Sequence, residues 1–164
     1  MPSDDPDGIA EPLRIPVTWH EEGSVHELPT LDVAIDEAYS GLAALDFARP
    51  TGFIRPHRLS YLRLLGVREH TLIRPDFSFL SQGIQNAITV DVTLAGHNGD
   101  LAIRAVKFLV FEPQDPLYRT IDCSFGAEIL RRFDHFAFEL ASSVVAVLEA
   151  PDSNCERFAS LGHL

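Results

Sequence analysis

Two charged side chains stand where the sequence pattern places apolar surface, and they are the first candidates for chemistry. If Asn98-Gly99 is a two-residue turn, Lys107 falls opposite Val90, on the face that Leu94 and Ile103 build with Ile88 and Leu109. Asp134 points between the directions of Ala141 and Val145 if residues 125–150 are helical. A buried charge without a partner is costly, so each needs an answering group, and the two can answer each other. Such a couple, its proton affinities displaced by burial, can perform acid–base chemistry or anchor an anion. The alternative has Lys107 reaching past a bulge near Val106 and Asp134 answered elsewhere.

Arg55-Pro56-His57-Arg58 forms a second cluster, suited to cradling an anion, with Arg55, His57 and Arg58 as its ligands. Internal neutralisation by acidic residues is the competing role. Nucleic acid is a poor partner for a chain of net charge −11 and pI ≈ 4.9. His20 and His26, with Glu21, Glu22 and Glu27, resemble a metal cluster. A four-residue loop from Glu21 to Ser24 pairs Trp19 with His26 and puts the histidines on opposite faces; a three-residue loop pairs His20 with His26. Their spacing matches no established zinc pattern, so neither a metal nor a cofactor is expected. His57 and Asp91 complete the catalytic candidates beside Lys107 and Asp134. Phosphate loops, dinucleotide fingerprints, HExxH and GxSxG are all missing, and Arg104-Ala105-Val106-Lys107 is not the Glu-x-Lys of a metal-dependent nuclease.

These residues need elements to hold them. Arg14 to His20 and Ser24 to Leu28 suggest a hairpin with Trp19 facing a core. Thr30 can cap a helix in which Leu31, Ile35, Ala38, Leu42 and Leu45 recur at helical spacing, ended by Arg49-Pro50-Thr51-Gly52. Phe53 to Leu65 and Arg68 to Arg74 read as strands, although 59–65 fits two helical turns equally well. Ala87 to Ala95 alternates apolar and polar residues, Asn98-Gly99 turns the chain, and Leu101 to Glu112 returns antiparallel. With Tyr118 to Ser124 this makes a three-stranded meander. Ser124 can cap a helix from Phe125 to about Ala150, closed by Pro151 and apolar over more than half its circumference, which demands more than one covering surface.

Charge is sorted along the chain: residues 1–48 hold eleven acidic side chains against Arg14, whereas 49–74 hold six arginines against Glu69. Lys107 is the one lysine among 13 basic residues. At 164 residues and 46% hydrophobic content the chain can bury one core. The expected organisation is a disordered acidic lead (1–12), one domain (13–150) and a mobile tail (151–164). No secretory signal or membrane-spanning stretch is read, and Cys123 and Cys155 are expected to be free thiols, so the expected location is the cytoplasm.

The expected fold is therefore α+β: an antiparallel sheet of about five to seven strands, one inserted helix, and a long C-terminal helix on one face. In element order this resembles a helix-grip fold, which implies an apolar pocket around the terminal helix. It is also similar to acidic tetrameric export chaperones of the SecB type, which place a helix after an antiparallel meander. The functional expectation is a non-catalytic cytosolic accessory protein, an adaptor, chaperone or inhibitor-like binder, that associates with itself or a protein partner. The competing expectation is a pocket protein for a small apolar or anionic ligand, including a cyclase- or hydrolase-type enzyme using Lys107, Asp134, His57 or Asp91.

Overall fold

The computed structural model describes residues 11–21, 27–36, 39–64, 66–73 and 84–159. They build twelve strands: β1 (Leu13–Pro16), β2 (Thr18–Glu21), β3 (Glu27–Ile35), β4 (Tyr39–Leu45), β5 (Gly52–Ile54), β6 (His70–Ile73), β7 (Ile84–Gly96), β8 (Gly99–Val110), β9 (Cys123–Phe125), β10 (Phe133–Glu139), β11 (Val144–Glu149) and β12 (Cys155–Phe158). The one α-helix among them, α1 (Leu59–Leu64), has six residues.

The expected α+β architecture is overturned: strands predominate among the described residues, with a closed six-strand barrel and no long helix among them. Strands β8, β5, β9, β4, β3 and β7 follow one another around the barrel, and pairing of β7 with β8 closes it. Its interior is packed with side chains such as Val33, Ala43, Ile54, Val92, Ile103, Phe108 and Cys123, all at most 2% exposed. A second sheet, in the order β1-β11-β10, adds Leu13, Ile15, Val145 and Val147 to the same core.

Both predicted helices are hairpins. Leu31, Val33 and Ile35 are buried while Asp32 is exposed, so a period of two governs this segment; Asp36, at φ 48°, then turns β3 back into β4. Leu31, Ile35, Leu42 and Leu45 satisfy a helical period as well, but Val33 does not. Residues 125–150, expected as the long helix, form the end of β9, a 3-10 helix at Ala127–Arg132, and the hairpin β10–β11 turned at Ser143 (φ 53°). The run Phe133–Phe138 and the valines at 144, 145 and 147 favour extended backbone, where branched and aromatic side chains lose least freedom.

The meander is also corrected. The β7–β8 hairpin forms as the alternation predicts, but it turns at His97-Asn98 between Gly96 and Gly99, so Leu94 pairs with Leu101 and not with Ile103. The next strand, however, is the short β9, which runs parallel to β4 and antiparallel to β5 instead of joining β8. Residues 53–65 divide into β5, a 3-10 turn at Pro56–Arg58 and α1. Trp19 is 39% exposed, resting on Phe138 instead of facing the core. Residues 155–158 of the expected tail form β12, paired with β8.

β4 and β5 are consecutive in sequence but not paired, because β9 lies between them. The 46–51 connection must therefore cross the end of β9, and this crossing positions the candidate site. No helix among the described residues is long and apolar enough to cross a membrane.

Candidate functional site

At the crossing the two segments are locked backbone to backbone. The Asp46 amide donates to the Phe125 carbonyl (3.0 Å), Ala127 N–H to Arg49 O (2.7 Å) and Glu128 N–H to Pro50 O (2.9 Å). Such close approach requires glycine. A Cβ on Gly126 would stand 2.6 Å from Pro50 O, and one on Gly52 would stand 1.7 Å from Ser124 O. The Ser124 hydroxyl, itself buried, accepts the Phe53 amide at 3.1 Å.

Asp46 leaves β4 at this point and is only 9% exposed. Its Oδ1 accepts the Ala48 amide at 3.3 Å, and its Oδ2 accepts the phenol hydroxyl of Tyr118. Arg49 Nε lies 3.7 Å from the same Oδ2 and its guanidinium caps the Phe111 ring at 5.7 Å. Tyr118 is presented by the 111–121 loop and packs edge-on against Phe53, with ring centroids 5.4 Å apart. Burial, then the hydrogen bond to Asp46 and its charge, push the Tyr118 phenol well above its ordinary range, so it keeps its proton at neutral pH and donates a hydrogen bond. The result is a fixed carboxylate with two protein donors and one cation, beside the exposed residues Ala48, Arg49 and Pro50. A carboxylate so held can act as a general base or, protonated, as an acid.

Of the sequence candidates, Arg55 is the most buried, 8% exposed. Its guanidinium is a structural tie, with Nε donating to Ile121 O at 2.7 Å and the other nitrogens to Glu112 Oε1 and Tyr118 O. It thereby anchors the loop that carries Tyr118. Arg58 pairs with Asp122 at 2.7 Å, and Asp122 Oδ2 accepts the Leu42 amide at 2.8 Å. His57 is exposed beside them in a cleft of about 310 Å³ that Arg55, Arg58 and Arg119 also line.

Lys107 and Asp134 are not joined. A β-bulge sets Arg104 and Ala105 beside Asp91, so Lys107 pairs with Thr89 and turns to the outer face, while Asp134 is exposed on β10. Asp91 closes the bulge: its Oδ1 accepts the Ala105 amide at 2.9 Å. His20 lies on β2 in register with Leu28, and His26 falls outside the described residues. No cluster of metal-ligating residues occurs among the described residues. Both cysteines are free, and burial together with the Asp122 charge raises the Cys123 thiol far above its usual range.

Asp46, Arg49 and Tyr118 were not singled out in the sequence. The available signal was a lone acid ending the apolar run Leu42-Ala43-Ala44-Leu45, which a helical reading hides in the last turn.

No protein-family model and no curated protein matches the chain. Among solved structures it resembles a retropepsin-like aspartic protease from Rickettsia conorii, with 10% identity, a TM-score of 0.49, and coverage of 83% of this chain and 94% of that one. The reading of this chain as a non-catalytic adaptor, chaperone or inhibitor-like binder does not stand. Its warrant was surplus apolar surface on a long terminal helix, and that segment is a β-hairpin whose valines are buried. The helix-grip pocket and the SecB-type similarity fall with it, because both need the same helix.

Proposed function

We propose that this chain is a carboxylate-dependent hydrolase of the aspartic type, with Asp46 as its acid–base group and a peptide amide as its substrate. One observation carries the reading: the Asp46 carboxylate is held at the loop crossing by Ala48 N and the Tyr118 hydroxyl, next to the exposed segment 48–50. Chemistry of this type uses two carboxylates sharing one proton, the ionised one drawing a proton from the attacking water and the protonated one supplying the leaving nitrogen. Asp46 has amide, phenol and guanidinium neighbours. The second carboxylate then comes from Asp46 of a second copy, and the exposed 48–50 segment offers the approach. The aromatic rings of Phe47 and Phe111, both half-buried, suit apolar substrate side chains. The two free thiols support placing the protein in the reducing cytoplasm.

The test is hydrolysis of a quenched fluorogenic peptide library by the full chain between pH 3.5 and 7.5, with sedimentation run at the same concentrations. Cleavage by a dimer that falls roughly 10²–10⁴-fold in Asp46→Asn, with an unchanged melting temperature, is the expected result. Cleavage indifferent to Asp46→Asn, or none at any pH where the dimer is populated, would overturn it.

A further inference from the structure

A cleft of about 280 Å³ lies on the outer face of the barrel, between the β8 bulge, the 50–52 segment and the 3-10 helix Ala127–Arg132. It is distinct from the Asp46 site, because neither Asp46 nor Tyr118 lines it. Lys107, Arg131 and Arg132 reach its walls against the single carboxylate of Glu128, so it is locally cationic on a chain of net charge −11. Thr51 adds a hydroxyl to the lining.

The three cations are held in different ways. Arg132 is fixed: Nη1 donates to Arg104 O (2.7 Å) and Ser153 O (3.0 Å), and Nη2 to Ala105 O (2.7 Å). A guanidinium has five N–H donors, so Nε and one Nη2 hydrogen remain after these bonds. Fastening to the bulge keeps that edge in one place, which lowers the ordering cost of binding a planar or tetrahedral anion. Lys107 is half-buried and makes no ion pair among the described residues. Three cations facing one carboxylate, with the half-buried ammonium of Lys107 in no ion pair among the described residues, is the feature of this cleft that folding alone does not explain. Arg131, exposed on the 3-10 helix, closes the other side.

We infer that this cleft binds a small oxyanion, a phosphate or a carboxylate, held by Lys107 and Arg131 against the pre-set edge of Arg132. The anion offsets the excess of three cations over the one carboxylate of the cleft, and it bridges the bulge of β8 to the 3-10 helix.

The probes are inorganic phosphate and acetyl-glutamate, titrated into the full chain by calorimetry and by melting temperature, with sodium chloride at matched ionic strength. Saturable binding in the millimolar range or tighter, a rise in melting temperature beyond that in chloride, and a loss of affinity of about tenfold in Lys107→Met and in Arg131→Gln are expected. Without anion, Lys107→Met should melt no lower than the parent, because it removes a charge that forms no ion pair among the described residues. Asp46→Asn should bind phosphate normally, which separates this site from the proposed hydrolysis. The relative strength of the phosphate and carboxylate arms identifies which anion the site takes. The inference is overturned if chloride matches both probes, or if affinity survives in both variants. It is also overturned if Lys107→Met alone lowers the melting temperature without anion, since Lys107 would then already be satisfied.

Discussion

Tyr118 and Cys123 make this protein's response to alkali a local property of two side chains. Tyr118 lies under the 111–121 loop with its hydroxyl on Asp46, and Cys123 is wholly enclosed in the barrel beside Asp122. Burial is the leading cause in both, with a neighbouring carboxylate adding to it, and both hold their proton more tightly folded than unfolded. Their contribution to stability is complete below the unfolded values, ~8.5 for a thiol and ~10 for a phenol, and is lost as pH rises past those values toward the folded ones. Melting temperature should therefore hold near pH 7–8 and fall steadily from about pH 9 to 11. In the double variant Tyr118→Phe, Cys123→Ala the starting value will be lower but the alkaline slope shallower. A slope as steep as the parent's would assign the alkaline loss to other groups. Asp46 and Arg55 sit on either side of Tyr118, so the same few residues position the proposed acid–base group and fasten the loop above it.

At the scale of elements, the β8 bulge does the most with the fewest residues. Ala105 occupies φ 56°, a left-handed conformation that costs a side-chain-bearing residue about 1–2 kcal/mol, and Asp91 holds its amide while Arg132 holds its carbonyl. Replacing Ala105 by glycine relieves that cost but adds freedom to the unfolded chain, for a net gain of up to about 1 kcal/mol. Asp91→Ala removes the amide's acceptor and should cost about 1 kcal/mol. Urea denaturation of both single variants and the double checks this, and a destabilised Ala105→Gly would show that the bulge carries no backbone strain. This insertion is also why Lys107 was misplaced from sequence: a turn at Asn98-Gly99 would pair Leu94 with Ile103, whereas Leu94 pairs with Leu101, a two-residue offset that keeps every side chain on its expected face, but one extra residue in β8 moves Lys107 to the other face. The helices failed for a different reason. Leu31, Ile35, Leu42 and Leu45 fit both periods, and only the burial of Val33 and the turns at Asp36 and Ser143 decide for strands. Asp46 followed from neither pattern, because its significance comes from β9 inserting between β4 and β5, a pairing between residues some 80 apart in sequence.

Over the whole molecule, the charge sorting so evident in the sequence is partly settled inside the fold, where Asp46 of the acidic N-terminal segment pairs with the arginine-rich stretch. Arg49, Arg55, Arg58 and Arg63 pair with Asp46, Glu112, Asp122 and Glu69, so the arginine-rich stretch is answered by one carboxylate just before it, one within it and two from later in the chain. Residues 11–16 are tied down chiefly by their backbone. Arg157 Nη1 donates to Glu11 O at 2.6 Å, Asn98 Nδ2 donates to Pro12 O at 3.0 Å, and Leu13 and Ile15, 0% and 2% exposed, complete the core under β11. The first and last described segments thus meet: β1 supports β11, and Arg157 of β12 grips both Glu11 and Glu149. A graded truncation series should expose this arrangement. Relative to a chain beginning at residue 11, one beginning at 13 loses these two hydrogen bonds and the long, exposed Arg14–Glu11 contact, and should be less stable by about 1–2 kcal/mol. One beginning at 17 also strips two buried side chains from the core and should lose a further ~3–6 kcal/mol, a large share of the 5–15 kcal/mol typical of a domain. Denaturation midpoints that fall evenly with residues removed, with no step between 13 and 17, would mean that β1 is not part of the cooperative unit.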